Sequence, residues 1–218
     1  MKLLLCSEGF YTEEIVKKCE DLVGKSRNSI NIAVINEAYA AEHKSNLRWV
    51  VANLNDVTSS FGGDLELVNL LALDIKEVER RIMKHDVIFV VGGHVDYLMS
   101  IFKKTGFAKL LPKLLKTKVY VGSSAGSMII GKRLSQEAYH EMYAQKGDYG
   151  VDKYMEFADF SIIPHLDSPK YNDRKEILLK ASRKHKGVIY GLNDDCAIVL
   201  EDKKVYTIGS KPLTLNDN

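Results

Sequence analysis

The chain has 218 residues, of which 45% are hydrophobic, 28% are charged and only four are proline. This composition excludes a disordered, collagen-like or disulfide-framed chain, and the length predicts a single globular domain over residues 1–218. The 31 basic and 29 acidic residues leave a net charge of +2, so there is no electrostatic reason to expect a nucleic acid partner.

The cysteines and the apolar runs indicate where in the cell the protein is located. The chain has three cysteines, Cys6, Cys19 and Cys196. An odd number without C-x-x-C spacing argues against a disulfide framework and against a zinc cluster. The leucine run after Lys2 is too short for a secretory signal, and no apolar run reaches the roughly 18 residues of a transmembrane helix. We therefore expect a cytoplasmic protein with no membrane partner.

Short apolar runs alternate with longer amphipathic stretches, a pattern typical of strand–helix–strand crossovers on a mostly parallel sheet. The predicted strands are residues 2–6, 30–35, 65–70, 87–91, 118–121, 161–163, 187–190, 197–201 and 205–208. The predicted helices are residues 12–23, 43–54, 74–84, 95–104 and 173–184. Thr12 and Asp74 are expected to cap their helices. The pattern thus predicts an α/β fold in which helices cover the sheet.

Two regions depart from this alternation. The last two predicted strands should form an antiparallel hairpin that turns at Asp202 and Lys203. Residues 134–159 are rich in Tyr, Met, Glu and Asp and show no clear period. We expect a binding loop or lid there, because long insertions in compact domains tend to carry function.

The strongest local signal is the stretch KVYVGSSAGSMII at residues 118–130, in which a buried strand runs into G-x-S-x-G and then into an apolar helix. This is the context of a nucleophile elbow, a strained turn that presents the hydroxyl of Ser124. Small residues at Gly122, Ala125 and Gly126 let strand and helix approach closely. The alternatives are a plain packing turn or a phosphate-binding helix N-terminus, although no G-K-[ST] motif follows.

A second glycine turn, Gly92-Gly93-His94, follows the predicted strand at 87–91. Paired glycines after a parallel strand expose backbone N–H groups at the sheet edge where ligands bind in this fold class. The N–H of Gly93 is a candidate donor to an oxyanion, with the N–H of Ala125 as the second donor. A tight strand-to-helix turn without chemistry explains the same residues equally well.

A serine nucleophile needs a base, and His165 is the best placed of the six histidines. It follows the strand at 161–163 and Pro164, which puts it at the same sheet edge as the elbow. His43, His85 and His185 lie among charged residues and are expected at the surface. A histidine that merely caps a loop is the alternative for His165.

The acid that orients this base is expected in the stretch GLNDDC at residues 191–196, between a strand and the closing hairpin. Asp194 or Asp195 can approach the imidazole from there. The spacing does not choose between them, and adjacent aspartates are also ordinary turn residues.

These motifs in this order, GGH, GSSAGS, IPHLD and GLNDDCA, resemble the peptidase E family of serine peptidases, which includes aspartyl dipeptidases and, more distantly, cyanophycinases. The resemblance spans the chain from the first strand to the closing hairpin. It implies a three-layer α/β/α sandwich, as in class I glutamine amidotransferases, with a mostly parallel central sheet and a C-terminal antiparallel hairpin.

The resemblance also implies roles for individual residues. The family pattern G-x-S-A-G falls on Ser124, its P-H motif on His165, and its G-[LI]-x-[ED] motif on Asp194, where glutamate is more usual. The resemblance likewise assigns the N–H groups of Gly93 and Ala125 as the hydrogen-bond donors of the oxyanion hole. We therefore expect a dipeptidase-like serine peptidase that acts on small peptides and needs neither a metal nor an organic cofactor.

Two departures from the family pattern bear on the substrate. His94 stands where the family has asparagine, and QEAYH at residues 136–140 replaces an N-D-x-P stretch beyond the serine. His94 is therefore a candidate substrate contact, and a preference for an N-terminal aspartate is not implied. Tyr139 and His140 are candidates for the wall of a substrate pocket formed by residues 134–159, and a surface role for the tyrosines of this stretch is the alternative. The chain is also short for a cyanophycinase and lacks an evident basic groove for a polymer.

Two other functions fit parts of the sequence. An α/β-hydrolase esterase would combine Ser124 with Asp173 and His185, although His185 lies in the basic run RKHK. An amidotransferase-like protein would use the same turn to bind a small ligand without turnover. The natural substrate, the choice of acid and the oligomeric state, including a homodimer, stay open at this level.

Overall fold

The structure is a computed structural model, and it describes residues 1–41, 47–145, 147–169 and 174–217, with only the backbone for Leu47. The strands of this part of the chain are β1 (Lys2–Cys6), β2 (Ile32–Ile35), β3 (Leu65–Leu67), β4 (Val87–Val90), β5 (Val119–Ser123), β6 (Phe160–Ile163), β7 (Val188–Gly191), β8 (Ala197–Glu201), β9 (Lys204–Ile208) and β10 (Leu213–Leu215). The helices are α1 (Glu13–Val23), α2 (Leu47–Ser60), α3 (Ile75–Ile82), α4 (Val95–Lys104), α5 (Phe107–Leu114), α6 (Ala125–Met128), α7 (Gln136–Tyr143) and α8 (Arg174–Ser182).

Seven strands form the central sheet, in the order β3-β2-β4-β5-β1-β8-β9. Strands β3 to β1 in this order are parallel, whereas β8 and β9 are antiparallel to their neighbours. The hairpin between β8 and β9 turns at Asp202 and Lys203, both with positive φ (48° and 72°), as a two-residue primed turn requires. The predicted parallel sheet with a closing hairpin is therefore confirmed.

The central strands are buried on both faces, so they appear in the sequence as continuous apolar runs. Successive residues of β1 point to opposite sides: Leu3 and Leu5 belong to one apolar core, and Leu4 and Cys6 to the other. Helices cover both cores, which makes the three-layer α/β/α architecture. Thr12 and Asp74 accept backbone N–H groups as the expected N-caps.

Strands β6, β7 and β10 form a second, three-stranded sheet in the order β10-β7-β6. The sequence predicted that the strands at 161–163 and 187–190 would join the main sheet, and this was wrong. Strand β10, which was not predicted, pairs with β7, while Leu192 N–H donates to Ile163 O at 2.8 Å. Both edges of β7 are hydrogen-bonded, one to β10 and the other to β6, so β7 has no free edge to pair with the main sheet.

The helices also differ from the prediction in two places. Helix α5 was not predicted, and α7 lies inside residues 134–159, where a loop was expected. Ser135 caps α7 by accepting Ala138 N–H. The helix buries only a short apolar face, Ala138, Tyr139 and Met142. Because polar residues separate these three in the sequence, the apolar periodicity is weak.

The remaining helix predictions agree in position within two residues at the ends that the structure describes, except that α2 continues to Ser60, six residues beyond the predicted end. The predicted helices at 43–54 and 173–184 correspond to α2 and α8, and their first residues, including His43 and Asp173, lie outside the described residues. Among the helices of the described ranges, none combines the length and apolar character needed to cross a bilayer.

Candidate active site

The turn at Ser124 has the local geometry expected of a nucleophile elbow. Ser124 lies between β5 and α6 with φ 49° and ψ −112°, a strained conformation for a residue other than glycine. A Cβ on Gly126 would stand 2.2 Å from Val90 O, so only glycine lets α6 pass this close to β4. The hydroxyl of Ser127 anchors the helix by donating to Cys6 O at 2.7 Å.

The structure brings Ser124, His165 and Asp194 together. His165 Nε2 lies 3.0 Å from Ser124 Oγ, and His165 Nδ1 lies 2.5 Å from Asp194 Oδ1. Both distances are within hydrogen-bond reach. Of the two candidate aspartates, Asp195 instead accepts a hydrogen bond from Ser210 Oγ at 2.6 Å. The geometry therefore selects Asp194 as the partner of the imidazole.

His165 is held in place mainly through its backbone. The residue is buried and has a φ of 58°, an uncommon conformation that needs support from its surroundings. Its N–H donates to Ser7 Oγ at 2.8 Å, and its carbonyl accepts from Arg174 Nη1 at 2.8 Å. Arg174 is only 1% exposed, also donates to Pro164 O, and lies over the ring of Tyr143 at 4.1 Å. The backbone that carries the imidazole is thus fixed by Ser7 and Arg174.

Opposing effects act on the carboxyl of Asp194. Burial raises the pKa of Asp194, but hydrogen bonds from His165 and Ser7, together with the charges of His165 and Arg174, lower it more. The net pKa of Asp194 is below its ordinary value. The carboxylate is therefore ionised at neutral pH and able to stabilise a charged imidazole.

Ser7 and Glu8, directly after β1, belong to the site but were missed by the sequence reasoning. Ser7 O accepts Ser124 N–H at 2.9 Å, and Ser7 Oγ donates to Asp194 Oδ1 at 3.0 Å. Glu8 Oε2 lies 3.2 Å from His165 Nδ1. The available signal was a polar pair at the carboxyl end of a buried parallel strand, where ligands bind in this fold class.

The Gly92-Gly93 turn borders the serine. A Cβ on Gly92 would stand 2.8 Å from Ser124 Cβ, and one on Gly93 would stand 2.4 Å from Ala38 C and O. With a φ of 137°, Gly93 has no room for a side chain and no suitable backbone for one. Gln145, also missed by the sequence reasoning, braces this turn by donating to Gly93 O at 3.1 Å and accepting Val95 N–H at 3.3 Å.

The candidate substrate contacts lie in different surroundings. His94 is buried, and its Nδ1 accepts Tyr97 N–H at 3.3 Å as the N-cap of α4. Tyr139 is 2% exposed and accepts Leu134 N–H at 2.9 Å, and burial raises its pKa to about 12. His140 is exposed on α7. The expectation that Tyr139 forms a pocket wall is therefore corrected, because its ring and hydroxyl are used within the core.

The other histidines have separate contacts. His185 Nε2 lies 3.0 Å from Ser161 Oγ, and burial together with the charge of Lys132 lowers the pKa of His185. The imidazole that meets Ser124 is that of His165, as the peptidase prediction requires. His85 is buried rather than at the surface, with Nδ1 2.9 Å from Arg81 O.

Glu8, His165 and Asp194 also have the residue types of a metal site, with ligand atoms within 4.8 Å of one another. Two ligand atoms on a tetrahedral zinc would lie about 3.3 Å apart, given bonds of about 2.0 Å. The 2.5 Å between His165 Nδ1 and Asp194 Oδ1 is shorter and is a hydrogen-bond distance. This spacing fits a hydrogen bond between the imidazole and the carboxylate.

Curated relatives of the chain are peptidases of bacteria. The chain is 29% identical to the uncharacterized peptidase Lmo0363 of Listeria monocytogenes serovar 1/2a over 153 residues, which are 68% of this chain and 72% of the relative. It is 25% identical to the uncharacterized peptidase PM1590 of Pasteurella multocida over 116 residues, 51% of this chain and 56% of the relative. The second match thus spans less than two thirds of that relative.

Solved structures share the fold. A crystal structure of a candidate peptidase E protein from Listeria monocytogenes EGD-e matches with a TM-score of 0.75 and 23% identity, over 96% of this chain and 98% of that one. A peptidase from an acI-B1 Actinobacterium matches with a TM-score of 0.66 and 16% identity, over 98% and 93%. The family model of peptidase family S51 matches residues 3–208, from the first strand to the end of the hairpin, so this chain belongs to that family and is a serine-type peptidase.

Proposed function

We propose that the protein hydrolyses amide bonds of small peptides, as a dipeptidase-like enzyme, with Ser124 as nucleophile, His165 as general base and Asp194 as the orienting acid. The observation that carries this proposal is the continuous chain of contacts from Ser124 Oγ to His165 Nε2 at 3.0 Å and from His165 Nδ1 to Asp194 at 2.5 Å. Membership of peptidase family S51, whose model matches residues 3–208, supports the peptidase activity.

In this mechanism the hydroxyl of Ser124 attacks the carbonyl carbon of the scissile amide while His165 Nε2 takes its proton. The resulting oxyanion receives hydrogen bonds from the N–H groups of Gly93 and Ala125. His165 then gives the proton to the leaving amine, which departs and leaves an acyl group on Ser124. A water, deprotonated by the same imidazole, attacks the carbonyl carbon of that ester. The bond from this carbon to Ser124 Oγ then breaks as His165 returns the proton to Oγ, and the acid is released.

The surroundings of the three residues suit these steps. Asp194 accepts from Ser7 and contacts the imidazole, and its lowered pKa keeps it ionised while His165 becomes charged. The backbone contacts hold His165 in position, and the contact of its Nδ1 with Asp194 orients the ring so that Nε2 faces the serine without help from the substrate. The N–H of Ser124 donates to the carbonyls of Cys6 and Ser7, so that amide is engaged by the scaffold.

A fluorophosphonate probe tests the nucleophile directly, because it reacts with an activated serine whatever the natural substrate is. We expect one probe per chain on Ser124 in the folded protein, no labelling of the Ser124→Ala variant, and at least a thousandfold slower labelling of His165→Ala. A panel of dipeptides that differ in the first residue then identifies the preferred bond. A folded protein that neither reacts with the probe nor hydrolyses a dipeptide would contradict the proposal and favour ligand binding without turnover.

A further inference from the structure

His165 faces a second carboxylate besides Asp194. Glu8 Oε2 lies 3.2 Å from His165 Nδ1, the same nitrogen that contacts Asp194 Oδ1. The Glu8 side chain is 22% exposed and that of Asp194 is 33% exposed, so both carboxylates are partly screened from water. The mechanism described above uses only one of them.

The structure directs Glu8 toward the imidazole. Glu8 follows Ser7, whose backbone and hydroxyl already contact Ser124, His165 and Asp194. The other carboxylate oxygen, Oε1, lies 3.5 Å from the amide nitrogen of Asn53, a buried residue of α2. One oxygen therefore faces the scaffold while the other faces Nδ1.

We propose that Glu8 is a positioning residue that shares the Nδ1 proton of His165 with Asp194 and helps to stabilise the imidazolium formed during the reaction. This inference rests on the proposed function, because it assigns His165 as the base. Glu8 acts through His165 and has no assigned contact with the substrate. A neutral imidazole carries one N–H, and Nε2 can act as base only in the tautomer that has this proton on Nδ1. Two carboxylates within reach of Nδ1 favour that tautomer more than one does.

The charges around His165 determine the expected pH effect. Glu8 faces the imidazole from the loop after β1, Asp194 from the loop after β7, and Arg174 from α8 through the carbonyl of His165. The other ring nitrogen of His165, Nε2, faces the uncharged hydroxyl of Ser124. Removing the negative charge of Glu8 leaves the imidazolium less stabilised, so the base loses its proton at lower pH.

The first experiment measures the pH dependence of fluorophosphonate labelling. Labelling requires neutral His165, so its rate rises with pH along an acid limb. We expect Glu8→Gln to move the midpoint of this limb to lower pH by about 0.5–1 unit, a modest shift because the side chain is partly exposed. Glu8→Asp keeps the charge but withdraws it by one methylene, so a smaller shift in the same direction is expected.

The second experiment is a double-mutant cycle. Asp194→Ala leaves Nδ1 facing Glu8, so we expect this change to slow labelling at least tenfold more in the Glu8→Gln background than in the chain that retains Glu8. A residue that merely supported the fold would give equal effects in both backgrounds. Glu14→Gln is the matched control, because it removes the same charge from an exposed position on α1.

The outcomes separate this inference from the proposed function. Unchanged labelling of Ser124→Ala or His165→Ala would contradict the proposed function itself. Loss of labelling in those two variants, together with an unmoved acid limb in both Glu8 variants or an additive cycle, would overturn the role of Glu8 alone. Melting curves of every variant confirm that rates are compared between folded proteins.

Discussion

The hydroxyl of Ser7 makes two contacts within the site, so replacing it is a sharp test of how the site is positioned. In Ser7→Ala the buried N–H of His165 loses its acceptor at 2.8 Å, and Asp194 loses a donor at 3.0 Å. No other side-chain atom of Ser7 is removed, and the fully buried position loses very little volume.

The magnitude follows from these two bonds. A buried N–H left without an acceptor costs about 1–3 kcal/mol, and a hydrogen bond to a charged group contributes about 1.5–3 kcal/mol. Because the two bonds share one hydroxyl and are not additive, we expect the free energy of unfolding to fall by about 2–4 kcal/mol. For a chain of this size that lowers Tm by about 5–15 °C. His165 and Asp194 would also be held less rigidly in their reactive positions, which should slow labelling by about tenfold to hundredfold.

Melting curves and the second-order rate of fluorophosphonate labelling measure both effects. Ser161→Ala is the matched control, because Ser161 is equally buried and its hydroxyl also makes two contacts, donating to Lys132 O at 2.9 Å and lying 3.0 Å from His185 Nε2, away from Ser124. We expect the control to lose about 1–2 kcal/mol of stability and to label within about twofold of the unaltered protein. If Ser7→Ala melts earlier but labels at the unaltered rate, the positioning role of this hydroxyl is wrong.

Three further predictions concern charge and burial. Asp194→Asn should slow labelling at least a hundredfold, whereas Asp195→Asn should change it less than threefold, because only the former contacts His165; the reverse ranking would transfer the acid role to Asp195. The pKa of Asp194 is lower in the folded protein than its ordinary value of about 3.9, so the ionised carboxylate stabilises the fold above that pH. This contribution is lost as the pH falls through the folded-state pKa. The Tm difference between the unaltered protein and Asp194→Asn should therefore narrow between pH 5 and pH 2. Burial, with the charges of Asp195 and Glu14, raises the pKa of Cys196 to about 12, and burial also raises that of Cys19, so iodoacetamide at pH 8 should modify these thiols only after denaturation; mass spectrometry showing alkylation of the folded protein would contradict this.

The sequence was informative wherever local chemistry dictates local structure. The G-x-S-x-G turn needs small residues on either side of Ser124, and the buried parallel strands need continuous apolar runs, so both are visible as patterns. Helix α7 was less visible, because its buried face is short and two of its buried residues, Tyr139 and Met142, stand among Glu, His and Gln. Its amphipathic signal is therefore weak.

The sequence by itself determined the order of the central elements, the elbow at Ser124, the hairpin at Asp202 and Lys203, and the family resemblance. The residue spacing left Asp194 and Asp195 open, and the family resemblance favoured Asp194, which is the aspartate that contacts the imidazole in the structure. Tertiary structure alone decided that Ser7 and Glu8 join the site and that β6 and β7 belong to a separate sheet. The reason is physical: Ser7 contacts Asp194 and His165 across 187 and 158 positions of the chain, and such contacts exist only once the loops at the sheet edge converge.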